Sequence, residues 1–283
     1  MLRTVAFVLF CLCAPAMQVL AQDAPMAVSQ CQAIAQAVPN ATFASYSPSG
    51  AVPLVLAQNS RSADLSAREE VRITYVGHST YFIETPRGVG IATDYSGVYR
   101  PSRLPDVVTM NKAHSTHFTL NPDAGIEQVL QGWSDVPGEK IQHNVVVGDA
   151  YIRNVATDIR SWGGDMEENG NSIFIFEIAG LCIGHLGHLH HELTESHYTE
   201  IGRLDILMVP VDGGLTLGAD SMSRVVDRLR SSVILPMHRP GGLDRFIGML
   251  GGKFDVAYAR EPTIVVSMRS LPKRPTILVP QGM

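Results

Sequence analysis

The chain has 283 residues, 45% hydrophobic and 17% charged, with a formal net charge of -5 at pH 7. That balance excludes a disordered or low-complexity protein and provides apolar mass for one large domain or two moderate ones. No basic run is present to neutralise a phosphate backbone, which argues against a nucleic-acid partner.

Residues 1–21 have the layout of a secretory signal peptide. Arg3 precedes an apolar stretch from Thr4 to Met17, and Val19-Leu20-Ala21 offers small residues at the cleavage positions before Gln22. The stretch is short for a membrane span and Pro15 interrupts it, so no stable span is expected after cleavage. The mature protein is therefore expected in the periplasm or outside the cell. Cleavage removes Cys11 and Cys13 and leaves Cys31 and Cys182. An oxidising compartment permits a disulfide between them. Cys182, however, lies in the apolar run from Ile178 to Ile183, which reads as a buried strand, so a buried free thiol is the expectation.

Residues 22–65 read as an N-terminal extension packed on the main domain, 66–283. Apolar spacing predicts a helix from Met26 to Val38, stopped by Pro39 and followed by a connector from Tyr46 to Gly50. Short strands follow at Val71–Tyr75, Tyr81–Glu84, Val89–Ala92 and Asp106–Met110. Asn121-Pro122 looks like an N-cap and first helical position, predicting a helix through Gly132. Strands are expected at Val145–Val147 and Tyr151–Val155, and a hairpin pairs Asn171–Glu177 with Leu181–Ile183. Thr194 can cap a helix ending at Gly202. Beyond it come a strand Leu204–Val209, a helix Ala219–Arg230, a strand Val233–Leu235, a helix Leu243–Leu250 and a last strand Thr263–Ser267. Early strands form a meander and later ones alternate with helices. That order implies an α/β (α+β) protein with two sheets and helices outside them, a four-layer αββα sandwich.

Histidines mark the ends of several of these strands. His78 lies in Gly77-His78-Ser79-Thr80, His114 and His117 follow Lys112-Ala113, His185 and His188 bracket Leu186-Gly187, and His238 closes Pro236-Met237-His238. A loop at a strand end is where a rigid scaffold can aim a ligand side chain.

These segments, in this order, resemble the metallo-β-lactamase superfamily of metal-dependent hydrolases, and in particular the branch of ascorbate-phosphate lactonase-like enzymes. The resemblance runs from about Val71 to the C-terminus and implies the αββα sandwich of that superfamily. It also implies a hydrolase that activates water to cleave an ester, lactone, amide or phosphodiester bond in a small-molecule substrate. Where the superfamily carries H-x-H-x-D-H, this chain has Lys112-Ala113-His114-Ser115-Thr116-His117. Lys112 stands at the first His, Thr116 at the Asp, and His188 at the later Asp that bridges two metals in relatives.

The resemblance thus implies a changed site, with room for one ion. Neutral imidazole is a good zinc ligand, and three protein ligands leave a position for water. The aligned metal candidates are His114, His117, His188 and His238, with Asp158 in the stretch where relatives place another histidine. Zn(II) fits first; Mn, Ni or Fe remain open. Lys112 is a candidate for stabilising negative charge, and His78 for contacting substrate or ordering the cleft wall. His185 reads as a hydrogen-bonding support, Asp94 and Asp212 as residues that could orient a ligand histidine, and His190, His191 and His197 as solvent-exposed. The changes also admit an alternative, a non-catalytic binding protein on the same fold. The sequence carries no signal for oligomeric state.

Overall fold

The computed structural model describes residues 29–35, 69–161, 163–238 and 241–283. The expected signal peptide, the connector at 46–50 and both ends of the expected N-terminal helix lie outside the described residues. The strands are β1 (Val71–Gly77), β2 (Thr80–Glu84), β3 (Gly90–Ala92), β4 (Val107–Met110), β5 (Gln128–Gln131), β6 (Asn144–Val147), β7 (Ala150–Arg160), β8 (Met166–Ile178), β9 (Leu181–His185), β10 (Ile206–Pro210), β11 (Val233–Met237), β12 (Asp255–Tyr258), β13 (Thr263–Val266) and β14 (Thr276–Val279). The helices are α1 (Gln30–Ala35), α2 (Glu195–Ile201), α3 (Ala219–Leu229) and α4 (Leu243–Leu250).

Two sheets form. The first runs β13-β1-β2-β3-β4-β5 and the second β12-β14-β11-β10-β9-β8-β7-β6. Alternation decides the faces. In β1, Val71, Ile73 and Tyr75 are buried while Arg72 is exposed. These residues join Ile83, Ile91 and Val107 from their own sheet and Phe174, Phe176, Ile206, Met208 and Met237 from the other in one inter-sheet core. β10 is buried along its whole length between the parallel strands β9 and β11, as expected of a strand covered on both faces. Its other face belongs to a second core, where α3 and α4 lay Met222, Val225, Val226, Phe246 and Leu250 against the sheet. The outer face of the first sheet packs Phe82, Ala92, Val108 and Met110 against Tyr95, Ile126 and Trp133 from irregular segments.

The expected helix from Asn121 to Gly132 does not form. Residues 121–127 are turns and bends, and Gln128–Gln131 is the strand β5, paired in parallel with β4 from Val107↔Gln128 to Met110↔Gln131. Strand alternation fits the burial, since Leu130 is buried beside a more exposed Val129. Pairing here satisfies the free edge of β4, a gain that local helix propensity cannot match. The strands β12 and β14 were not anticipated, and β7 and β8 run longer than their apolar cores suggest.

Cys31 and Cys182 are joined in a disulfide across 151 positions of sequence, which corrects the expectation of a free thiol. Burial of Cys182 is real, yet Cys31 is buried against it. The carboxylate of Glu177 caps α1, accepting from the Gln30 and Cys31 backbone N–H groups and from Ser29 Oγ. Arg153 completes the arrangement with a buried ion pair to Glu177 at 3.0 Å and donates to the last carbonyls of α2. Disulfide and cap together fasten the N-terminal segment to the second sheet.

A cross-link closing so long a loop restricts the unfolded chain most. Reduction, or replacement of both cysteines by Ala, should lower unfolding free energy by roughly 2–5 kcal/mol in denaturant titrations. Identical midpoints with and without reductant would contradict a structural bond.

Candidate metal centre

The site lies at the C-terminal ends of strands from both sheets. Asp94 follows β3, His114 and His117 follow β4, His188 follows β9, Asp212 follows β10, and His238 follows β11; His78 occupies the turn between β1 and β2. His78, Asp94 and His238 all adopt positive φ, at 52°, 43° and 60°. Such a backbone costs free energy in non-glycine residues, least for Asp and His, and concentrates where geometry is imposed by function. The two sheets are tied here directly, because the His238 backbone N–H donates to His78 O at 3.0 Å and Tyr81 Oη donates to Pro236 O at 2.7 Å.

Five imidazoles converge. One candidate ligand nitrogen each from His78, His114 and His117 lie within 4.8 Å of one another, and so do those of His117, His188 and His238. His117 is common to both groups. His78 and His238 stack at 4.3 Å between ring centroids.

Buried carboxylates orient two of the rings. His117 Nδ1 donates to Asp94 Oδ2 at 2.6 Å, which leaves the Nε2 lone pair facing the cluster. His238 Nδ1 donates to Asp212 Oδ2 at 3.0 Å in the same way. Asp212 is fixed in turn by backbone N–H groups of Gly214 and Thr216 donating to Oδ1. Asp94 receives a further bond from Asn111 Nδ2 at 2.9 Å. His114 Nδ1 shares a 2.8 Å bond with Thr116 Oγ1, so the residue at the motif's Asp position positions a ring.

Glycine is required beneath the cluster. A Cβ on Gly187, whose φ is +60°, would fall 2.4 Å from both Asn111 Nδ2 and Asn171 Oδ1. Those two side chains hold the loop: Asn171 Oδ1 accepts from the His188 backbone N–H at 2.7 Å, and Asn111 Oδ1 accepts from Ser172 N at 2.7 Å.

The residues fit a cation. His117 Nε2 and His78 Nε2 stand 3.2 Å apart. Two imidazole nitrogens bound tetrahedrally to one zinc are separated by about 3.3 Å, given Zn–N near 2.05 Å. His238 Nε2 is buried with no hydrogen-bond partner. A buried, unpaired nitrogen carries a desolvation cost that a ligated ion relieves.

Burial keeps the rings of His78, His114, His117 and His188 neutral. It pushes His78 down to about 3 and His117 to about 4, with repulsion among the neighbouring histidines adding to the effect at both. At His117, Asp94 partly opposes the shift. His114 and His188 are lowered for the same first reason. Asp94 is held low despite its burial, by His185 and His117, and Asp212 despite its burial, by its bond from His238. Neutral imidazole is the state that ligates.

The remaining expected site residues sit elsewhere. Lys112 Nζ pairs with Glu167 Oε1 on β8 at 2.5 Å, on a half-exposed surface. Asp158 Oδ1 accepts from the Asn169 backbone N–H at 3.0 Å, bracing the β7–β8 ladder, and belongs to neither three-histidine group. His185 donates from Nε2 to Ser79 O and accepts at Nδ1 from Gly187 N, a supporting role. His190, His191 and His197 are half-buried rather than exposed as expected. His190 accepts at Nδ1 from Arg160 N and brings Nε2 within 2.9 Å of Leu215 O and 3.2 Å of His188 Nδ1. His191 and His197 engage the Asp158 backbone and the α2 N-terminus, where His197 completes a capping box with Thr194. A cavity of about 500 Å³ opens against the cluster, bounded by His114, His188, His190, Arg160 and Leu215 among others.

A histidine with a depressed pKa binds fewer protons folded than unfolded across the interval between the two values. Metal-free protein should therefore hold its full histidine contribution above about pH 6.5 and lose stability as pH falls toward 4. The low-lying Asp94 and Asp212 add to the loss on further acidification. Denaturant midpoints measured from about pH 7.5 down to about pH 4.5 check this, and a flat or opposite slope would contradict the buried neutral cluster.

Residues 72–238 match the family model for the beta-lactamase superfamily domain. Similar proteins include metal-dependent hydrolases of Pyrococcus furiosus, 22% identical over 189 residues (59% of this chain and 84% of the relative), and of Pyrococcus abyssi, 24% identical over 192 residues with the same coverage. Among solved structures, a Thermotoga maritima protein assigned as a Zn-dependent hydrolase of the metallo-β-lactamase superfamily is 28% identical, with a TM-score of 0.53 over 74% of this chain and 97% of that one. A metallo hydrolase of Ignicoccus hospitalis shares the fold at 18% identity, with a TM-score of 0.51 over 70% of this chain and 99% of that one. The two-sheet sandwich, the strand-end site and the matched span make this chain a member of the metallo-β-lactamase superfamily.

Proposed function

We propose that the protein is a metal-dependent hydrolase that works through a single ion, zinc first among the candidates and Mn, Ni or Fe next, held by imidazoles alone. The observation that carries the reading is the gathering of His78, His114, His117, His188 and His238 into two three-nitrogen groups that share His117, with the buried Nε2 of His238 left without a partner. His117 supports one ion over two, since it belongs to both groups and offers one free lone pair. His78 is reassigned in this reading from substrate contact to ligand, filling the place vacated where Lys112 replaces a histidine. Lys112 and Asp158 take structural roles.

When bound, such an ion makes water acidic near neutral pH and polarises an acyl or phosphoryl oxygen. The chain's own residues do the rest. Asp94 and Asp212 fix the tautomers of His117 and His238, so that both present a lone pair without rotating. His114 and His188 belong to the cluster and also line the cavity, which brings a substrate there alongside the ligand set. The scissile bond is an ester, lactone, amide or phosphodiester of a small molecule. The relatives named as metal-dependent hydrolases support the reaction class. The Cys31–Cys182 disulfide supports export to an oxidising compartment, either periplasmic or extracellular.

Metal analysis of purified protein tests the ligand set. His117→Ala and His238→Ala should each lose most of the bound ion, and His78→Ala should weaken binding, while Asp158→Ala and Lys112→Ala retain it. Asp94→Asn should lower affinity about 10- to 100-fold. Full occupancy in His117→Ala would overturn the assignment. Turnover of an ester, lactone or phosphodiester panel, abolished by chelator, supports hydrolysis; an occupied site with no turnover across the panel favours the non-catalytic alternative.

A further inference from the structure

Among the described residues, Arg160 supplies the one formal charge on the wall of the cavity beside the cluster, and no Asp or Glu lines it. Arg160 ends β7 and is fixed from two directions. Its backbone N–H donates to His190 Nδ1 at 2.9 Å, and its Nη2 donates to the carbonyls of Leu215 at 3.0 Å, Thr216 at 3.2 Å and Gly214 at 3.4 Å. Carbonyl oxygens satisfy donors without cancelling charge. Among the described residues no carboxylate pairs with this guanidinium, and Nε and Nη1 have no partner.

The surroundings accentuate that charge. The two carboxylates of the site, Asp94 and Asp212, are both turned to histidine nitrogens behind the cluster. Beside Arg160, Leu215 is 76% exposed, a large apolar side chain at the cavity rim. A planar guanidinium with free donors suits a carboxylate or phosphate, and an adjacent apolar wall suits a hydrocarbon body.

We propose that Arg160 is the anchor for an anionic group on the ligand of this cavity, which takes small organic acids or phosphate monoesters with an apolar portion seated on Leu215. That such a ligand is the substrate rests on the hydrolase reading above; that it binds does not. The loop clamp also explains why Arg160 is held still: a pre-positioned fork loses less freedom when an anion arrives.

Binding to metal-free protein separates the two claims, because no ion and no turnover are needed. Phenylacetate, phenyl phosphate and neutral phenylacetamide are titrated by ligand-observed NMR. Wild type should bind one or both anions and bind the amide about tenfold more weakly or not at all. Arg160→Met should lose about tenfold or more for the anions and leave the amide unchanged. Ser161→Asp places a carboxylate in the same cavity without cutting the loop clamp, and it should weaken the anions similarly even if Arg160→Met perturbs the loop. The stronger of phenylacetate and phenyl phosphate identifies the anion. Failure of both anions to bind, equal affinity for the bound anion and the amide, or indifference to both substitutions would overturn the proposal.

Discussion

Two buried carboxylate–imidazole bonds govern this site. Asp94 and Asp212 each accept from Nδ1 of a histidine, and each thereby turns an Nε2 lone pair toward the same point. Without them, His117 and His238 could take the other tautomer or rotate, and the cluster would present protons to an incoming cation. The acids stay ionised because the histidines and backbone N–H groups around them outweigh the cost of burial. The framework continues outward through Asn111, Ser172 and Asn171 to the loop that carries His188. Strained φ values at His78, Asp94 and His238 mark where the backbone bends to satisfy this geometry.

The substitutions in the signature motif become intelligible in these terms. An Asp replaced by Thr116 no longer contributes charge but still orients His114. An Asp replaced by His188 keeps a donor and removes a negative charge. Lys112 cannot ligate, and it is drawn to Glu167 away from the cluster. The donor set that remains is all nitrogen, with both acids one bond removed. Such a centre would keep more of an ion's positive charge than one with carboxylate ligands. The cavity lined by His114, His188, His190 and Arg160 is where that charge would meet a substrate.

Much of the arrangement was legible in the sequence because strand ends are. Apolar runs followed by Gly-His, Lys-Ala-His or Leu-Gly-His located the segments, α2 was marked by its Thr194 cap, and α3 by its amphipathic spacing. What sequence could not supply was contact between distant elements. His78 reads as a lone histidine in a turn; the β1-β2-β3-β4 order of its own sheet puts its Nε2 3.2 Å from that of His117, and the other sheet brings the His238 ring onto it. The segment from Asn121 carries a plausible helix cap, and tertiary pairing with β4 wins. Cys182 in an apolar strand fits a thiol and a disulfide equally, and the answer depends on where a cysteine 151 residues away packs. Arg160 and His190 carry no motif. They matter because the loop from Asp212 to Thr216 folds over both.

The central claim is a mononuclear centre of imidazole nitrogens. X-ray absorption at the zinc edge of protein loaded with the metal addresses it most directly. The account predicts one ion per chain, a first shell of nitrogen at about 2.0–2.1 Å with outer scattering from several imidazoles, and no neighbouring metal. A first shell dominated by carboxylate oxygen, or a second metal at about 3.5–4 Å, would contradict it.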